Sequence, residues 1–158
     1  MYPQDYRPAA SPIDYFKKCV TRDYANFDGR ARRSEYWYFT LCNAVISFGL
    51  QIASFIVAAI AATAGSELLV AIAGGALGLL ALAVGLGLLL PGLAVGVRRL
   101  HDTGRSGWWL LIAVVPIIGA IALIVFLCQD GTPTANEYGP NPKFGASDDP
   151  IEHLEVRA

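Results

Sequence analysis

The densest chemistry in the chain lies in Arg98-Arg99-Leu100-His101-Asp102-Thr103-Gly104-Arg105-Ser106-Gly107-Trp108-Trp109. A histidine beside an aspartate invites general-base chemistry. Adjacent residues point in different directions on a helix, however, and no Ser or Cys nucleophile or second metal ligand stands at a recognisable spacing. The pattern therefore predicts binding rather than turnover: no enzyme, no cofactor and no metal site. Arg98 and Asp102 are spaced to pair within a helix. A second basic run, Phe27-Asp28-Gly29-Arg30-Ala31-Arg32-Arg33-Ser34-Glu35-Tyr36-Trp37, carries a matching excess of positive charge. Guanidinium groups hold phosphate and carboxylate through two parallel donors. The expected site therefore comprises Arg30, Arg32, Arg33, Glu35, Arg98, Arg99, His101, Asp102, Arg105 and Trp108. Glu35 and Asp102 would pair with Arg33 and Arg99 across loops, and the surplus arginines with His101 would hold anionic lipid headgroups or a protein partner.

The elements that must position this cluster follow from where charge is absent. Of 158 residues, 54% are hydrophobic and 16% charged, against about 25% charged in a soluble domain. Residues 36–66, 68–97 and 106–129 contain no Asp, Glu, Lys or Arg and make up 85 residues of the chain. Water-soluble helices and strands need a polar face that such stretches cannot supply. A soluble enzyme, a nucleic-acid binder and a secreted disulfide scaffold are thereby excluded. Cys19, Cys42 and Cys128 show no paired spacing and are expected to be free. No short apolar leader opens the chain, so the first apolar run is expected to remain as an anchor.

The predicted fold class is all-α, a membrane protein with about three transmembrane helices. Residues 1–35 form a basic segment, 36–128 the transmembrane domain and 129–158 an acidic irregular tail. Spans are expected at about 36–64, 68–97 and 108–128. The first two charge-free runs are about 45 Å long as helices, longer than one crossing and too short for two, so they should tilt as an antiparallel hairpin. Gly65 would end the first helix, and Ser66 would cap the second. Ile13, Phe16 and Val20 beside Lys17, Lys18 and Arg22 suggest a short interfacial helix. The bases flank the first span and separate the second from the third, which places both basic segments and the N-terminus in the cytoplasm. An odd number of spans sends the tail to the periplasm. A re-entrant second segment, rich in glycine, is the alternative that returns the tail to the cytoplasm.

Thr40, Asn43, Ser47, Gln51 and Ser54 share one face of the first span. Amides facing lipid are costly, so the stripe is expected to face the other helices. A solute path through an oligomer is the alternative function, weakened because no ionisable side chain sits inside any span. Gly74-xxx-Gly78 and Gly92-xxx-Gly96 permit close helix approach, and Pro91 and Pro116 can kink their helices. The partners this reading allows are anionic membrane lipids, a second copy or another membrane protein; nucleic acid is excluded.

Three stretches together, FDGRARRSEYWYF (27–39), RRLHDTGRSGWW (98–109) and DGTPTANEYGPNP (130–142), give the chain a resemblance to a bacterial inner-membrane family called domain of unknown function 805, the YhaH-like family. The resemblance implies an integral inner-membrane protein and brings no mechanism with it. It covers most of the chain, and it leaves the tail motif around Asn136, Tyr138 and Gly139 without a role beyond turn formation.

Overall fold

The computed structural model describes residues 10–63 and 65–144, and within them every regular element is helical. The acidic residues beyond 144 lie outside that range. Helix α1 spans Pro12–Val20, opened by Ser11, whose hydroxyl accepts from the Asp14 amide at 3.2 Å. Helix α2 spans Arg33–Thr63 and α3 spans Glu67–Asp102. Their connection is the expected one: Gly65 takes φ +68, a conformation that favours glycine, and the Ser66 hydroxyl accepts from the Leu69 amide at 3.3 Å. The second segment is a single 36-residue helix, so the re-entrant alternative does not fall there.

The excess length of both helices has a simple origin. No described residue between 40 and 90 is buried, whereas α3 buries Pro91, Ala94, Val95 and five further residues up to Asp102. The uncovered stretches, 40–63 of α2 and 67–90 of α3, are each roughly 35 Å long, close to one tilted crossing of a hydrocarbon core about 30 Å thick. The core helix of a soluble protein would be covered by its own chain. Here Phe48, Phe55 and Leu79 are each about 70% exposed, and both helices are long and apolar enough to cross a membrane. The remaining turns of both helices belong to a protein-covered end.

That end is built from α1, the loop after it and the last turns of α3. Cys19, Ala31, Phe39 and Val95 form its core, with Phe16, Val20 and Tyr36 packed against them. The expected stripe on α1 is thereby corrected. Its buried face carries Tyr15 and Cys19, with Phe16 and Val20 beside them, while Ile13 is 62% exposed. The helix packs on α2 and α3, with Phe16 stacked on Phe39 at 5.6 Å. Of the two glycine pairs, only Gly92-xxx-Gly96 lies at an interface: a β-carbon at Gly92 would sit 3.5 Å from Phe39, and one at Gly96 3.5 Å from Leu110. Gly74 and Gly78 face open space.

The expected third crossing over Trp108–Cys128 is also corrected. Gly107–Val114 form a 3-10 helix, with Ser106 as its cap, and α4 spans only Ile118–Cys128. Between them the chain reverses in a tight turn. Ile117 takes φ 64 and ψ −65, and the Ile118 amide donates to the Pro116 carbonyl at 2.7 Å, which is the pattern of a strained γ-turn. Pro116 cannot continue the helical ladder. Gly119 lets the two arms close, because a β-carbon there would strike the Ile112 carbonyl. Trp109 near the start of the first arm meets Phe126 near the end of the second, edge to face at 5.4 Å. Each arm is about 16 Å long, half a hydrocarbon thickness. Residues 129–144 therefore return to the end that holds α1, and are not separated from the arginines by a third crossing.

The polar stripe on α2 is covered only in part: Thr40, Asn43 and Ser54 are half-buried along with Ile46, Leu50 and Ala58, whereas Ser47 and Gln51 are exposed. Thr40 and Ser54 donate to the carbonyls of Tyr36 and Leu50 in their own helix, so the expected hydrogen bonds between helices are absent among the described residues.

Pro91 leaves a more specific mark. With no N–H it cannot serve the carbonyl four residues earlier, at Gly87. The Tyr24 hydroxyl, from the loop after α1, donates to that carbonyl at 2.7 Å. One tyrosine thus repairs the helix and ties the loop to it. Tyr24→Phe is expected to lower stability by about 1 kcal/mol, measured as a reduced unfolding midpoint in detergent; an unchanged midpoint would show that the bond carries no weight.

Candidate functional site

The last turn of α3 places Arg98, Arg99 and Asp102 inside the covered end, where each is at most 5% exposed. Charges removed from water persist only where other groups replace their hydration, and the replacements come from four separate parts of the chain. Arg98 Nη1 donates to Glu35 at 2.8 Å and to Asp23 at 3.1 Å. Lys18 closes the group, 2.9 Å from Glu35 and 3.4 Å from Asp23. Asp102 takes Arg30 on one oxygen at 2.9 Å and Arg99 on the other. Two expected pairings, Arg98 with Asp102 and Arg33 with Glu35, are therefore corrected. Arg98 turns away from Asp102 toward α1 and α2. Glu35 pairs with Arg98 and Lys18, and Arg33 with Asp130 at 2.7 Å on the surface. Arg99 does pair with Asp102, but inside the helix, three residues apart.

Backbone carbonyls take further donors of Arg99, Arg30 and Arg32. Arg99 donates to Leu127 at 3.1 Å and to Gln129, the residues that end α4. Helix C-terminal carbonyls have no partner of their own and carry partial negative charge, so they suit a buried guanidinium. Arg30 reaches the carbonyls of Thr132 at 2.7 Å and Thr134 at 2.8 Å. Arg32 donates to Pro142 at 2.8 Å. Asn141 holds the same loop by donating to Thr132 and Pro133. A β-carbon at Gly131 would fall on the Asp102 carboxylate, so only glycine lets the tail pass this close. The tail motif that turn formation alone did not explain is thus a cradle of carbonyls around arginines.

His101 lies at the rim. Its Nδ1 is 3.2 Å from the Gly29 carbonyl, which can only accept, so Nδ1 carries the proton and Nε2 of the neutral ring is an acceptor. Tyr138 stacks flat on the imidazole, with centroids 3.8 Å apart and planes at 4°. Asn136 donates to the His101 carbonyl at 2.9 Å. Two other expected residues stand outside the network: Arg105 lies 4.4 Å above the Phe126 ring, and Trp108 is 79% exposed. Among the described residues no group of three His, Cys, Asp or Glu side chains is arranged to hold a metal ion.

Lys18, Cys19, Asp23, Asn136, Tyr138 and Asn141 belong to the site, although nothing in the sequence joins them to the arginines. Each lies in a polar segment whose distance to the arginines depends on how the chain returns. Cys19 sits between Arg98 and Glu35, 3.9 Å from each. Burial, and after it the Glu35 carboxylate, push its thiol up to about 11, so it stays protonated. All three cysteines are free, as expected.

Two clefts flank the network. One of about 410 Å³ is lined by Lys18, Arg30, Arg32, Glu35, Tyr138 and Asn141 among others. The other, about 460 Å³ and apolar, lies between α3 and the 3-10 helix, with Phe27, Val97, His101 and Trp108 on its walls.

Removing one member of a buried ion pair strands the other. Arg98→Gln and Glu35→Gln are each expected to cost about 3–5 kcal/mol, read as a large fall in folded yield and unfolding midpoint. Arg22→Gln, at a side chain 82% exposed, should leave both unchanged. Equal behaviour of the three variants would remove the network as a source of stability.

Comparison with known proteins agrees with the motifs. No solved structure matches the chain. The chain is 42% identical to inner membrane protein YhaI of Escherichia coli (strain K12) over 128 residues, 81% of this chain and 95% of the relative. It is also 42% identical to inner membrane protein YhaH of the same strain over 132 residues, 84% of this chain and 98% of the relative. A family model described as protein of unknown function DUF805 matches residues 24–140, which spans Tyr24, both arginine runs and the tail that returns to them. The chain belongs to the DUF805 family.

Proposed function

We propose that the protein is a non-enzymatic binding module of the inner membrane, and that its arginine-rich end takes an anionic headgroup at the cytoplasmic face. The observation that carries this reading is a charge imbalance. The network interleaves Lys18, Arg30, Arg98 and Arg99 with only three carboxylates, Asp23, Glu35 and Asp102. Neutral carbonyls accept from further donors of Arg30 and Arg99 without cancelling the remaining charge. The cleft beside Lys18 and Arg30 opens on this excess, and Arg32 stands on its wall. An anion seated there gains from a field that water screens poorly. Lipid phosphates are the nearest anions to a site at the membrane surface.

In this reading α2 and α3 cross the membrane, their connecting turn faces the periplasm, and the 3-10 helix with α4 dips to mid-depth and returns. Lys17, Lys18, Arg22, Arg30, Arg32, Arg33, Arg98, Arg99 and Arg105 then all lie at one end, which the positive-inside rule assigns to the cytoplasm. The tail joins them there. A topology reporter fused after Ala158 should accordingly read cytoplasmic, and a periplasmic reading would sink this arrangement.

Arg98 and Arg99 are unsuitable for testing binding because they hold the fold. Lys18→Gln combined with Arg32→Gln changes the cleft while leaving Arg98, Arg99, Glu35 and Asp102 in place. Native mass spectrometry of protein extracted with its membrane should find phosphatidylglycerol or cardiolipin on the wild type. Retention should fall by about tenfold in the variant, compared at a temperature where both proteins stay folded, since losing the Lys18 pair also lowers the unfolding midpoint. Equal retention, or no preference over phosphatidylethanolamine, would refute the headgroup reading.

A further inference from the structure

Asn43, Ser47 and Gln51 recur every four residues on α2 and make no hydrogen bond among the described residues. Asn43 is half-buried, and Ser47 and Gln51 are exposed. Gln51 stands at the middle of the uncovered stretch 40–63, where a membrane offers no water. An amide left unpaired at that depth costs several kcal/mol. Thr40 and Ser54, on the same helix, escape this cost by donating to their own backbone; the two amides do not. α3 cannot supply partners, since between 68 and 97 it carries no polar side chain at all. The 3-10 helix and α4 are equally apolar along their length.

We infer that this stripe is the interface for a second copy of the chain, with α2 packed against α2 about a two-fold axis along the membrane normal. The chemistry of the stripe favours its own copy over other occupants. An amide carries both donors and an acceptor, so it is complementary to itself. A two-fold axis of this direction brings Asn43, Ser47 and Gln51 of one protomer to the same residues of its partner at equal depth. Rows spaced by four residues are also ridges that interdigitate when helices cross. Ala44 and Ser47 keep the approach narrow, and a shallow apolar depression beside them, with Phe48 on its wall, can receive side chains of the partner. A lipid chain could fill the depression but could not satisfy the amides. This inference requires only that α2 crosses the membrane, and it is independent of what the arginine-rich end binds.

Oxidative cross-linking in native membranes tests it. The background carries Cys42→Ala and Cys128→Ala and keeps Cys19, which is buried and stays protonated. Ser47→Cys is expected to give disulfide-linked dimer. Ile60→Cys, 64% exposed and on the opposite side of the helix from Gln51, is expected to give little. Adding Gln51→Leu to Ser47→Cys should lower the dimer yield by about threefold or more without changing the unfolding midpoint of the solubilised monomer. No more dimer from Ser47→Cys than from Ile60→Cys would overturn the inference. So would a yield that Gln51→Leu leaves unchanged, or cross-linking of Ser47→Cys to a different membrane protein in place of its own copy.

Discussion

Burying Arg98 and Arg99 at the end of an apolar helix is the constraint on which the rest of this structure depends. A guanidinium out of water needs an acceptor for each of its donors and a nearby negative charge. Helix α3 itself supplies only Asp102. The other acceptors must be brought from elsewhere, and each one explains an element. Asp23 and Glu35 explain why α1 and the first turn of α2 fold onto α3. The carbonyls of Leu127 and Gln129 explain why α4 must end beside the arginines. Arg30, drawn in by Asp102, explains why the tail wraps over the site.

The same constraint decides the path of the last apolar segment. A single straight helix over 108–128 would leave Arg99 and Arg30 without their carbonyls. Reversal at Pro116–Ile118 places an unfavourable backbone conformation at Ile117 and leaves both arms short. Satisfying several buried charged donors outweighs one strained residue, because an unsatisfied buried ion costs more than a single positive φ in a β-branched residue. The two ends of the helix pair are consequently unlike each other. One is a bare turn around Gly65 with hardly any tertiary contact. The other is a closed polar knot in which α1, three helix ends and the tail meet.

The charged residues of this knot differ in how completely they are enclosed. Arg98, Arg99, Glu35 and Asp102 are paired with one another and with other buried groups, and hold the parts of the protein together. Lys18 and Arg32 line the cleft of about 410 Å³. His101 shares both characters: its Nδ1 and one ring face are engaged by Gly29 and Tyr138, while it also lines the apolar cleft next to Trp108. Arg105 and Trp108 lie beyond the knot, Arg105 over the Phe126 ring and Trp108 exposed.

What the sequence by itself determined rests on local composition. Charge-free runs of 31 and 30 residues identify two helices that need lipid. Gly65 and Ser66 mark the turn between them, and three motifs identify the family. These properties depend on residues that are neighbours in the chain, so they are legible without coordinates. Tertiary structure alone decided which acid meets which arginine, since Glu35 and Arg98 are 63 positions apart and several cations compete for each carboxylate. It also decided that 24 charge-free residues make two half-length arms rather than one span, because length and hydropathy are the same in both cases and only the demand of Arg99 and Arg30 for carbonyls separates them. The facing of the α2 stripe was open for a related reason. Periodicity puts Asn43, Ser47 and Gln51 on one side of a helix, but which side meets α3 is set by the packing of Phe39 on Gly92 and of Ile46 and Leu50 along the seam.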